Sequence, residues 1–320
     1  MAAPIAFLFP GQGAQHVGMG MTLARAFPEA AAAFEEADRA FGACDGSART
    51  LSQLVFEGPE DDLILTEHAQ PAILAASVAA LRVLSSRGIA PHFVAGHSLG
   101  EYSANVAAGT LEFPDAVSIV RERGRLMQEA VPMGTGSMAA ILGAELDVVT
   151  RACQESGGDE VVSPANINAP GQVVIAGHTG AVKRAVERAK ELGAKKAVAL
   201  AVSAPFHCAL MRPAEERLAP RLRALRSRAP KVPVVANVDA RPKHDASSAI
   251  EALVRQVSAP VLWQAIVERL VAEGVRTFVE VGPGSVLSGL VKKIAREADP
   301  TIVRFGGPED LDGVLAVCST

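Results

Sequence analysis

Short apolar runs that stop at a turn and give way to helix-length periodic segments constrain this chain more than any other feature. A run such as Ile5-Ala6-Phe7-Leu8-Phe9, stopped by Pro10-Gly11, has no polar face and must be buried on both sides. Phe93 to Gly96, Val232 to Ala236 and Thr277 to Val281 read the same way. Between them, Gln70 to Ser86 carries Ile73, Leu74, Val78, Leu81 and Leu84 at helical spacing, with Pro71 near its start and Gly88 beyond its end. Buried strands alternating with helices predict an α/β fold built on a mainly parallel sheet.

The middle of the chain follows another order. Ser137 to Leu142, Val161 to Ile167, Gln172 to Ala176 and Lys196 to Val202 read as strands, with helices over Leu146 to Glu155 and Thr179 to Leu192. That β-α-β-β-α-β succession is the ferredoxin-like arrangement. Its entry, Val131-Pro132-Met133-Gly134-Thr135-Gly136, has hinge composition. We therefore expect a subdomain at residues 131–199 inserted into a larger domain made of 1–130 and 200–320. At 320 residues the chain is also longer than one typical domain of about 100–150 residues.

Composition narrows the function classes. Net charge is −4, which argues against a protein devoted to nucleic acid. The four cysteines, Cys44, Cys153, Cys208 and Cys318, show neither CxxC nor metal-ligand spacing and read as reduced thiols of a cytoplasmic protein, with no metal or cofactor expected. The apolar N-terminus lacks a basic region and runs into a glycine turn, so it reads as a strand rather than a signal peptide. No stretch is expected to reach the roughly 20 apolar residues of a membrane span.

Gly96-His97-Ser98-Leu99-Gly100 lies between a predicted strand and a predicted helix. Such a G-x-S-x-G elbow lifts its serine to the carboxyl end of the sheet, where the Leu99 amide and the helix start can stabilise an oxyanion. In isolation the motif could be a structural turn; its setting makes Ser98 a candidate nucleophile. Of seven histidines, His97 adjoins Ser98 but points apart from it and reads as a packing residue. His207, in Ser203-Ala204-Pro205-Phe206-His207-Cys208, follows the last inserted strand and stands well after the serine, as a base should. An acid should lie between them. Asp115 reads as a helix N-cap, and Asp147 and Asp159 fall inside the insert, so a Ser–His dyad is expected, its imidazole steered by something such as a main-chain carbonyl.

Asp115 to Ala130 reads as a helix with Ile119, Val120, Leu126 and Met127 on one stripe and Ser118, Arg121, Glu122, Arg125 and Glu129 on the solvated face. Arg123 falls inside the apolar stripe. A guanidinium there either snorkels out, pairs with a structural acid, or waits to grip an anionic substrate. Gly11-Gln12-Gly13-Ala14-Gln15-His16 fails the dinucleotide pattern because His16 holds the third glycine position; it fits a turn presenting the Gln12 amide to an oxyanion. Gly282-Pro283-Gly284 reads as a strand-to-helix turn, and Lys292, Lys293 and Arg296 as a basic cluster on the helix after it.

Together these pieces resemble the malonyl-CoA:acyl carrier protein transacylase family of bacterial fatty acid synthesis. The resemblance rests on Phe9-Pro10-Gly11-Gln12-Gly13, Gly96 to Tyr102, Arg123-Gly124-Arg125-Leu126-Met127-Gln128, Asn166 to Val173, Pro205-Phe206-His207 and Glu280 to Gly284, and spans nearly the whole chain. It implies a hydrolase-like α/β domain with an inserted ferredoxin-like subdomain. It also implies that Ser98 attacks the malonyl thioester with His207 as general base, that the Gln12 and Leu99 amides form the oxyanion hole, and that Arg123 binds the malonyl carboxylate. The histidine would be oriented by the carbonyl of Gln256, and Phe206 would select malonyl over methylmalonyl groups. The partners implied are malonyl-CoA and acyl carrier protein, with no nucleic acid and no membrane. For carrier docking, Lys195, Lys196, Lys292 and Lys293 are candidates. An acyltransferase serving a polyketide carrier, a serine esterase and a non-catalytic carrier-binding module are the competing readings.

Overall fold

The computed structural model describes residues 3–42, 49–132, 134–200, 202 and 204–318; Cys44, Met133 and Ser203 lie outside them. Six strands form the larger sheet: β1 (Ile5–Phe9), β2 (Phe93–Gly96), β7 (Val234–Val235), β8 (Pro242–Lys243), β9 (Thr277–Val281) and β10 (Thr301–Phe305). Their order is β10-β9-β1-β2-β7-β8, parallel throughout except for the antiparallel β8. The period-two pleat divides β1 between two cores. Phe7 and Phe9 meet the helices Pro28–Gly42, Thr66–Ser86 and Phe113–Glu129, while Ala6 and Leu8 meet Trp263, Ile266, Leu270 and Leu290 on the other face.

The second sheet holds β3 (Gly136–Leu142), β4 (Val162–Ala169), β5 (Gln172–His178) and β6 (Lys196–Ala199), antiparallel in the order β4-β5-β3-β6. With its two helices, Leu146–Gly157 and Thr179–Glu191, it is the ferredoxin-like unit that the pattern predicts. One face packs on those helices through Ile141, Val149, Val173, Ile175 and Ala185. The other face, through Met138, Ala165, Val174 and Ala176, joins the core of the larger unit beside Phe206. Edge strand β4 is also covered: Ile167 N donates to Val261 O at 2.9 Å, and Val261 N donates to Ala165 O at 2.9 Å.

Several expectations need correction. The long core helix starts at Thr66, four residues early, and carries Pro71 inside it. By length and apolarity this helix could cross a membrane, contrary to the expectation that no stretch would; 83% of its most apolar window is buried within the protein. The helix expected from Asp115 begins at Phe113, with Glu112 as N-cap and Asp115 in the first turn. Arg121 is not on a solvated face: it is buried, donates to Phe41 O at 3.1 Å and lies 4.2 Å from that ring's centroid. The strand expected over Val232 to Ala236 is shorter, Val234–Val235; before it Pro233 accepts from Val94 N at 3.0 Å through its carbonyl but has no N–H with which to extend the ladder.

Candidate active site

Ser98 sits in the turn between β2 and the helix Gly100–Ala107, with φ of 52°, in the left-handed region that a serine rarely adopts. The flanking glycines make the turn possible. A Cβ on Gly96 would run into the Gly100 carbonyl, and one on Gly100 into the Phe9 carbonyl. Strain of this kind persists only if neighbours over-determine it. Asn237 does so: Ser98 N donates to its Oδ1 at 2.7 Å, and its Nδ2 donates to Gly96 O at 2.7 Å.

His207 is also left-handed, φ 59°, and buried. Its Nδ1 donates to Gln256 O at 2.9 Å, which leaves Nε2 to accept the Ser98 hydroxyl at 2.7 Å. The carbonyl thus takes the place of the missing acid. Burial, helped by the Arg123 charge, pushes the imidazole down to about 3. The imidazole is neutral at neutral pH and in hydrogen-bond contact with the serine, as a candidate base must be.

Arg123 is 1% exposed. It does not snorkel out, and among the described residues it pairs with no structural acid; neutral acceptors hold it. Nη1 donates to Gln70 Oε1 at 2.7 Å, and Nη2 donates to Gln256 Oε1 at 2.9 Å and to Ser98 Oγ at 3.1 Å. Among the described residues its Nε has no hydrogen-bond partner, and the Tyr102 ring centroid lies 5.4 Å from the guanidinium carbon. Gly124 lets this helix pack tightly: a Cβ there would come within 2.6 Å of Thr66 O. An unneutralised buried guanidinium is expensive, and an incoming carboxylate would relieve the cost.

A cavity of about 600 Å³ opens over these groups, lined by Gln12, Ser98, Arg123, Phe206 and His207 on one side and Met138, Leu200 and Val202 on the other. Gln12 follows β1 and Leu99 caps the helix after the elbow; among the described residues neither main-chain N–H has an acceptor. Phe206 is buried at the cavity wall beside His207. His97 turns away from Ser98, its Nε2 2.9 Å from Asn168 Oδ1 and its ring 5.6 Å from that of Trp263. Of the lysines named for carrier docking, Lys196 can be placed relative to the cavity. In register, Lys196 pairs with Leu142, four residues along β3 from Met138 at the cavity and so about 13 Å away. No group of three or more metal-ligating side chains occurs among the described residues.

Three residues of the site escaped the sequence reading: Gln70, Asn237 and Glu101. Gln70 and Asn237 carry no local signal, since each acts across more than 50 residues of chain. Glu101 did carry one, an acid in the first turn of a helix, Gly100–Ala107, that has no other charged residue. Its Oε2 accepts from Gln256 Nε2 at 2.7 Å and Asn237 N at 3.0 Å, and burial raises its carboxyl to about 7.

Comparison with known proteins agrees with this geometry. Residues 6–304 match the family model of the acyl transferase domain. The malonyl CoA-acyl carrier protein transacylase of Escherichia coli (strain K12) is 50% identical over 290 residues, 90% of this chain and 92% of that protein. A crystal structure of an acyl carrier protein S-malonyltransferase from Vibrio cholerae superposes with TM-score 0.93 at 46% identity, covering 98% and 100% of the two chains. A malonyl-transacylase solved with its type II PKS acyl-carrier protein (PlMCAT:AntF, holo) gives TM-score 0.93 at 45% identity, over 99% and 100%. With a match of this extent to an elbow, a buried dyad and a buried arginine on one cavity wall, the chain belongs to the malonyl-CoA:acyl carrier protein transacylase family of acyltransferases.

Proposed function

We propose that this enzyme moves a malonyl group from malonyl-CoA to the phosphopantetheine thiol of acyl carrier protein, by way of a malonyl ester on Ser98, supplying fatty acid synthesis in the cytoplasm. The observation that carries the reading is Arg123: a buried guanidinium held by neutral acceptors, 3.1 Å from the Ser98 hydroxyl oxygen. A short acyl chain bound to Ser98 can place a terminal carboxylate there, and a monocarboxylic acyl group leaves the charge unanswered.

In the first half-reaction Ser98 Oγ adds to the thioester carbonyl while His207 Nε2 takes its proton. The N–H groups of Gln12 and Leu99 receive the developing oxyanion. The C–S bond then breaks, and coenzyme A leaves as the thiol with the proton held by His207. In the second, the carrier thiol gives its proton to His207 and adds to the ester; Ser98 regains that proton as it departs. Water must be kept from the ester between the two events. The face of the second sheet that carries Met138, together with Leu200 and Val202, supplies an apolar wall for this, consistent with an inserted subdomain at 131–199.

The test is mass spectrometry of the intact protein after malonyl-CoA, with and without carrier. A malonyl adduct on Ser98 that persists in buffer and disappears when carrier is added is the expected result. Free malonate released without a thiol acceptor would identify an esterase instead, and no adduct at all would leave only carrier binding. The relative solved with a type II PKS carrier keeps a polyketide carrier as the second reading. Transfer rates to the two kinds of carrier separate them.

A further inference from the structure

Glu101 is buried within the site, yet none of the steps above uses it. It is 1% exposed and among the described residues makes no ion pair; Arg123 is reached through the side-chain amide of Gln256. That amide has one orientation. Its nitrogen faces Glu101 Oε2 at 2.7 Å, Ser98 O at 2.8 Å and Asn237 Oδ1 at 3.4 Å, all acceptors, so its oxygen must face Arg123 Nη2 at 2.9 Å. Of the three acceptors only Glu101 can bear a charge, which makes it the strongest. We propose that Glu101 is a positioning residue for the arginine: its carboxylate pins the Gln256 amide with the oxygen toward Arg123, so that the guanidinium is held at Ser98 without a direct ion pair that a substrate would have to break.

This inference rests on the reading that Arg123 receives the malonyl carboxylate. Direct pairing of Arg123 with an acid would satisfy its charge before substrate arrived; an intervening amide leaves it available. A purely structural Glu101 would serve every acyl group alike, whereas a positioning role concerns only acyl groups that carry a carboxylate.

The experiment compares malonyl-CoA with acetyl-CoA for wild type, Glu101→Gln, Arg123→Ala and the double variant. Glutamine keeps an oxygen for the Asn237 and Gln256 N–H groups and removes the charge. We expect Glu101→Gln to lower the malonyl-to-acetyl ratio of kcat/KM at least tenfold, mostly through KM for malonyl-CoA. Arg123→Ala should lower the ratio further, and the double variant no further than Arg123→Ala alone. An unchanged ratio in Glu101→Gln, or a further tenfold loss in the double variant, overturns the positioning role. An unchanged ratio in Arg123→Ala overturns the carboxylate reading itself.

Should Glu101→Gln not fold, the wild-type pH profile decides. Glu101 is faced by Arg123 from the helix Phe113–Glu129, by Asp239 from the turn after β7, and by the uncharged Gln256 and Asn237. As pH drops through about 7 its carboxyl takes up a proton and the malonyl-to-acetyl ratio should fall. A ratio that stays level from pH 8.5 to 6 overturns the proposal.

Discussion

The two sheets divide the work of the cleft unequally. From the turns and helices of the larger sheet come Ser98, His207, Arg123, Gln12 and the supporting amides of Gln70, Asn237 and Gln256. The smaller sheet and the segment leaving it bring Met138, Leu200 and Val202, with Asn166 as the polar exception. Parallel strands end in turns at one edge of their sheet, where polar groups can converge. An antiparallel sheet lays a flat apolar face over them. On the proposed function, chemistry resides below and exclusion of water above.

Substitutions on the lower side should sharpen that division most. Ser98→Ala or His207→Ala is expected to lower malonyl transfer by at least 10³-fold, since either removes the proposed nucleophile or its proposed base. Loss of the Ser98 adduct in intact-mass spectra checks it. Next is Arg123→Ala, for which two charge-assisted hydrogen bonds to a carboxylate correspond to about 3 kcal/mol, on the order of 10²-fold, for malonyl alone. Equal losses with acetyl-CoA would break the assignment of polar recognition to this side.

Asn237→Ala tests the elbow. It leaves Ser98 N and Gly96 O without their partner, and the left-handed serine is then free to relax. We expect roughly tenfold slower acylation with malonyl and acetyl groups alike, read in pre-steady-state release of coenzyme A. On the upper side, Met138→Ala should do something different. It opens the apolar wall, so hydrolysis of the malonyl ester should rise several-fold while acylation is little changed. A slower acylation instead would show that the second sheet takes part in the chemistry.

The same division explains what could be seen in the sequence. β1 and β2 were legible because a strand buried on both faces is apolar throughout, and β9 because Phe278, Val279 and Val281 outweigh the buried Glu280. β10 was not, since Arg304 interrupts Thr301–Phe305 at the sheet edge. Arg121 and Arg123 stand two residues apart on one helix and both are buried, yet periodicity placed only Arg123 inside. Arg121 is accommodated by the ring and carbonyl of Phe41, from a different helix, and no local pattern encodes such a partner. Ser98 was legible from its glycines, and His207 by elimination and chain order. Asn237 and Gln70 come together with them only in the folded chain.

The smallest predicted effect concerns pH and stability. His207 falls from an ordinary value of 6.5 to about 3, so between those pH values the unfolded chain holds a proton there that the folded protein lacks. Taken alone, this makes stability drop as pH falls below 6.5. Glu101 rises from 4.5 to about 7, so the folded protein holds a proton that the unfolded chain lacks between those values, and stability drops as pH rises from 4.5. Between pH 4.5 and 6.5 the two contributions have opposite slopes and cancel. Glu101→Gln removes one of them. Its melting temperature should therefore fall more steeply than that of wild type as pH is lowered from 6.5 to 4.5, with the difference approaching about 1.4 kcal/mol per pH unit. Surface carboxylates contribute equally to both proteins and drop out of the comparison. Parallel curves would mean that Glu101 takes up no extra proton on folding between those pH values, and would break the picture of a carboxyl raised by burial beside the arginine's amide support.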